Sequence, residues 1–129
     1  MIAEVDDSLF PIIILNTLPV EISDQQLEEY LLFHEKLLKE AREKLIIIYN
    51  TDNSRYLSGD QTVRISKWSK NNQPLFLEKT LGSCVVTSTI LSNLIIRALR
   101  FLMKSNFDAE IFSNMDQALI WAKKLSNKK

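Results

Sequence analysis

A chain of 129 residues, 46% of them apolar, has the length of one domain (1–129) and the material for a core. Sixteen basic residues balance sixteen acidic ones, so no long-range field draws the chain to nucleic acid or to an anionic membrane surface. Two glycines, one histidine and one cysteine exclude the glycine-cradled phosphate motifs, a His/Cys zinc cluster and an internal disulfide.

The N-terminal MIAEVDDSLF carries acids where a signal peptide needs bases. No apolar run approaches the ~18 residues of a membrane span, so a cytoplasmic protein is expected. PIIILN (11–16) is short, β-branched and apolar, which suits a buried strand beginning at Pro11. MIAEV is expected to pair with it, with Asp6, Asp7 and Ser8 as the turn.

SDQQLEEYLLFHEKLLKEAREK (23–44) reads as a helix opened by a Ser23–Gln26 capping box. Leu27, Leu31, Leu38 and Ala41, with Tyr30 and Leu37, form its apolar stripe. Glu35–Lys39 and Glu40–Lys44 are spaced as solvent-side ion pairs. His34 lies within the stripe and reads as a structural, half-buried histidine rather than a catalytic base.

LIIIYN (45–50) is a second buried strand. The polar loop after it, Asn50, Thr51, Asp52, Asn53, Ser54 and Arg55, lies where open α/β sheets gather ligands. The same residue types are also ordinary turn formers. A helix follows from about residue 59, with Ser58 as its cap and Gln61 reaching back to the Ser58 amide. Its apolar positions are Ile65, Trp68, Leu75 and Phe76; Pro74 predicts a break around 71–73, and Gly82 a left-handed end.

CVVTS (84–88) is the third buried strand, in which Cys84 reads as a small unreactive hydrophobe. Residues 90–104 predict a helix with an unusually wide apolar surface. Asn93, Arg97, Arg100 and Lys104 make its one polar stripe, and Ile96, Phe101 and Met103 flank that stripe. Either the helix is wedged inside the fold, or Ile96, Arg97, Arg100, Phe101 and Met103 meet a second subunit or another ligand. DAEIF is a last strand, and 113–125 a last helix capped around Ser113 and Asp116. Trp68 and Trp121 read as core or helix-interface residues. Continuous apolar strands between helices predict an α/β fold. It has a four- to five-stranded, mostly parallel sheet, its first strand antiparallel, flanked by four main helices. Ile12, Ile14, Ile46, Ile48, Val85 and Ile111 are the expected buried strand residues.

Three stretches, PIIILNTLP, LIIIYNTDNSRYLSGDQ and AEIFSNMDQALIWAKKL, resemble the STAS-like, SpoIIAA-like (STAS/SEC14-like) family of small bacterial proteins. The resemblance implies a non-enzymatic protein-interaction or regulatory module with no cofactor and a protein partner, a second copy of the chain included. By analogy with the SEC14-related members it implies, as the alternative, a carrier of a small apolar ligand or lipid. Antagonist-type members carry Asp-Ser-Ser-Gly, whose second serine is phosphorylated. Ser58 and Gly59 match its last two positions, while Tyr56 and Leu57 replace the first two. Ser58 is therefore both the candidate phosphorylation site of a degenerate switch and a plain helix cap.

Overall fold

The computed structural model describes residues 3–17, 22–50, 58–86 and 108–127. Two strands open the chain, β1 (Ala3–Leu9) and β2 (Ile12–Thr17), followed by the helix α1 (Asp24–Glu40) and β3 (Leu45–Asn50). Then come α2 (Gly59–Asn71), α3 (Gln73–Lys79), β4 (Thr80–Val86), β5 (Asp108–Phe112) and α4 (Met115–Asn127). The five strands form one sheet in chain order, β1-β2-β3-β4-β5. β1 is antiparallel to β2, and every later pairing is parallel. The α/β architecture expected from the apolar strands is the one observed.

Apolar residues run without interruption through β2 and β3 because both faces of the sheet are covered. Ile13, Leu15, Leu45 and Ile47 point to one face, where α1, α2 and α3 bring Leu38, Trp68, Leu75 and Phe76 against them. Ile12, Ile14, Ile46, Ile48, Cys84 and Val86 point to the other, against Ala118 and Ala122 of α4. Full burial of one such aliphatic side chain is worth about 1.5–3 kcal/mol.

Several boundaries differ from those expected. Asp6, Asp7 and Ser8 lie inside β1 rather than forming the turn, and the chain reverses at Phe10–Pro11, whose peptide is cis. The acids instead occupy a shift of register between Asp6 and Leu9, where the Ser8 amide donates to Asp6 Oδ1 at 3.0 Å. Such local side-chain bonds replace ladder bonds. Pro11 sits just before β2, and its carbonyl accepts from the Ile46 amide at 3.0 Å.

α1 stops at Glu40, four residues early, because Ala41 turns to extended backbone (φ −65°, ψ 124°). Lys44 is thereby lost as a helical neighbour, and Glu40 pairs with Lys36 at 4.0 Å instead. Glu35 and Lys39 approach to 3.8 Å, as their spacing predicts.

The helical stretch after Ser58 does break before Pro74. Asn72 joins α2 to α3, its amide and its side-chain Nδ2 both donating to the Trp68 carbonyl at 2.9 Å. Gly82 does not end a helix. α3 stops at Lys79, β4 starts directly at Thr80, and Gly82 is a buried strand residue. A Cβ there would lie 2.6 Å from Leu125 Cδ2 and 2.7 Å from the Asp108 carbonyl oxygen. Glycine is thus required by the close approach of α4 and β5, not by a turn.

The cap of α4 is Asn114 rather than Ser113 with Asp116; its Oδ1 accepts from the Gln117 amide at 2.9 Å. Ile12, Ile14, Ile46, Ile48 and Val85 are buried, whereas Ile111 is half-buried, since β5 is the last strand of the sheet. The predicted helix 90–104 lies outside the described residues.

Candidate functional site

Parallel pairing brings the carboxyl ends of β2 and β3 side by side, with Asn16 opposite Asn50. Asn50 Nδ2 donates to Asn16 Oδ1 at 2.9 Å. At this rim α1 and α2 start with the same device. Ser23 Oγ accepts from the Gln26 amide and Ser58 Oγ from the Gln61 amide, each at 3.1 Å. The glutamine side chains return to the serine amides, at 2.9 and 3.1 Å.

Gln61 does more than complete its own box. Its Nε2 donates to the Ile22 carbonyl at 2.7 Å and to Asp24 Oδ1 at 3.2 Å. One buried side chain therefore ties the start of α2 to the start of α1. The Ser58 side chain is exposed beside it. The capping box was legible from spacing, but the bridge to α1 was not, because its partners stand 39 and 37 residues away.

Farther along the same two helices, Arg64 grips Glu28 with a two-pronged ion pair, Nε to Oε2 and Nη2 to Oε1, both 2.7 Å. The Arg64 hydrogen bonds hold the Glu28 carboxyl below the usual carboxylate range. Below this fork an open groove of about 370 Å³ runs between the helices, with Leu32, Trp68 and Asn71 in its walls.

The single histidine is deeper than half-buried: His34 is 2% exposed. Its Nε2 is hydrogen-bonded to the Tyr49 hydroxyl, and its Nδ1 is buried with no hydrogen-bond partner among the described residues. Burial pushes the imidazole down to about 4 and raises the Tyr30 and Tyr49 hydroxyls above the usual phenol range. Cys84 belongs to the core on the opposite face of the sheet, and burial pushes its thiol up to about 12. The sheet thus separates the chain's only thiol from its only imidazole, and they cannot act as a nucleophile–base pair.

Of the sites expected from sequence, Ser58 and Asn50 lie at this rim. Asp52, Asn53, Ser54 and Arg55 lie outside the described residues, as do Ile96, Arg97, Arg100, Phe101 and Met103. Trp68 and Trp121 pack on opposite faces of the sheet. Among the described residues no group of three His, Cys, Asp or Glu side chains is arranged to hold a metal ion, and no helix is long and apolar enough to cross a membrane. No family model, curated protein or solved structure matches the chain.

Proposed function

We propose that this chain is a non-enzymatic protein-interaction or regulatory module of the STAS-like kind, acting in the cytoplasm on a protein partner. The observation that carries this reading is the rim where β3 leads toward α2. An exposed serine caps α2 there, and Gln61 fastens that cap to the start of α1. A contact or a phosphoryl group at Ser58 would act on both helix starts at once. Negative charge is electrostatically accepted at a helix N-terminus. The buried, separated positions of His34 and Cys84 agree with binding rather than with nucleophilic chemistry.

Native mass spectrometry of the protein purified from its own host tests the reading. A discrete dimer or a stoichiometric hetero-complex is expected. A retained small apolar molecule on a monomer would replace the module with a carrier.

A further inference from the structure

We propose that His34 is an acid-sensitive latch: its protonation loosens the layer of α1, α2 and α3 from the sheet while leaving the α4 layer in place. The latch rests on geometry. His34 is the point where four elements meet, and each presents an aromatic ring to it. Tyr49 of β3 stacks on it at 5.6 Å between ring centres, and Phe76 of α3 at 6.4 Å. Trp68 of α2 meets it edge-on at 4.8 Å, and Tyr30 of its own helix lies at 6.3 Å.

Among the described residues, the titratable groups touching the imidazole are the Tyr30 and Tyr49 phenols, neither of which ionises in acid. Several charged groups of the surrounding elements are engaged with other partners. Arg64 of α2 holds Glu28, Glu35 of α1 faces Lys39, and Lys79 of α3 donates to the Ala41 carbonyl. A neutral imidazole fits this box if Nε2 carries the proton toward Tyr49 and Nδ1 is a bare acceptor, a cheaper orphan than a buried N–H. A second proton must go on Nδ1. It creates an unpaired donor and a full charge away from water. The ring faces offer cation–π attraction, which compensates only part of the lost hydration.

The direction of the pH effect follows. The folded form holds the imidazole at about 4, below the 6.5 of an unhindered histidine. The unfolded or loosened form therefore binds the proton more readily. Stability is complete above about pH 6.5, falls as the pH drops below it, and stops falling from this cause below about 4. By pH 5 the opening constant should have risen roughly 30-fold over its value at pH 7.5. Among the described residues the core of the α4 face holds no imidazole or carboxyl group, and burial pushes its Cys84 thiol up to about 12.

Each face carries one tryptophan, which supplies the readout. In a Trp121→Phe protein, Trp68 fluorescence reports on the latch face. Urea unfolding followed at pH 7.5 and pH 5 should show the roughly 30-fold rise, and His34→Phe in the same background should abolish it. Should phenylalanine not fold there, His34→Gln keeps a neutral polar group against Tyr49 and serves the same comparison. Equal acid responses with and without His34, or an imidazole that titrates near 6.5 by NMR of the folded protein, would overturn the latch. So would simultaneous loosening of both faces, read by hydrogen exchange in α1 and α4.

Discussion

The two faces of the sheet solve the same problem with opposite materials. On one, α1, α2 and α3 lay large side chains over Ile13, Leu15, Leu45 and Ile47, with a histidine enclosed among aromatic rings. On the other, α4 comes down on Ala118 and Ala122, and Leu125 reaches the α-carbon of Gly82. A thick layer of long side chains leaves room for polar groups and for grooves between its helices. On the α4 side the fully buried helix residues are Ala118 and Ala122, with Met115, Leu119, Trp121 and Leu125 packed around them, and the fit at Gly82 is set by backbone approach. Among the described residues, Ser58, Gln61 and the Glu28–Arg64 fork belong to the thick layer.

The comparison breaks most visibly by emptying the thick side. Ile47 is fully buried beneath α1 and α3. Ile47→Ala should cost about 2–5 kcal/mol, the transfer free energy plus the cavity left behind. The urea midpoint by circular dichroism measures it. A loss below about 1 kcal/mol would mean the aromatic layer can collapse into the space.

On the α4 side the damaging change is addition. Gly82→Ala puts a methyl 2.7 Å from a backbone oxygen, which cannot swing away as Leu125 can. A cost of about 1–3 kcal/mol is expected from overpacking. Leu125→Ala in the same chain should return only part of it, because the Asp108 carbonyl remains in the way. Full recovery in the double variant would show that helix packing alone, not the β4–β5 ladder, demands the glycine.

These two positions also show what could be read in the chain beforehand. Ile47 was legible as part of LIIIYN, since a β-branched run bounded by polar residues predicts a strand covered on both faces, although the positions singled out as buried were its neighbours Ile46 and Ile48. Gly82 was misread as a helix end, because a glycine after a helical stretch has the same appearance whether it needs a positive φ or lacks room for a side chain. The break at Pro74 was local covalent chemistry and therefore visible. Gln61 and His34 were half-visible. Their spacing gave a cap and a place on the apolar stripe. Their decisive partners, Ile22, Asp24 and Tyr49, come from other elements, which only the tertiary fold selects.

At the rim of the thick layer, Ser58→Ala should cost about 0.5–2 kcal/mol, and Ser58→Asp should preserve stability because aspartate caps a helix as well as serine. Thermal or urea unfolding of both variants tests the cap. An alanine variant with an unchanged midpoint, together with an aspartate variant that loses its partner, would make Ser58 a switch rather than a cap.

The smallest effect belongs to the Glu28–Arg64 fork, and it separates cleanly from the His34 latch. Both residues are partly exposed, so solvent screens their attraction and ordering two long side chains opposes it. Glu28→Gln should therefore lower stability slightly, and the difference should vanish in molar salt. Its pH window lies apart from that of the histidine. Arg64 lowers the Glu28 carboxyl below its ordinary 4.5 in the folded protein. The contribution of the pair is present above that value and is lost only as the pH falls through the lowered one. Between pH 7.5 and 6 the carboxylate stays ionised in both states, and at pH 5 only about a quarter of it is protonated in the unfolded chain, so Glu28→Gln should change the slope of stability against pH very little there. In the same interval His34→Phe should flatten it. An altered slope in the glutamine variant would mean that the fork and the imidazole are electrostatically coupled across the α1–α2 groove, and the two helices would then respond to acid through their surface as well as through their buried ring.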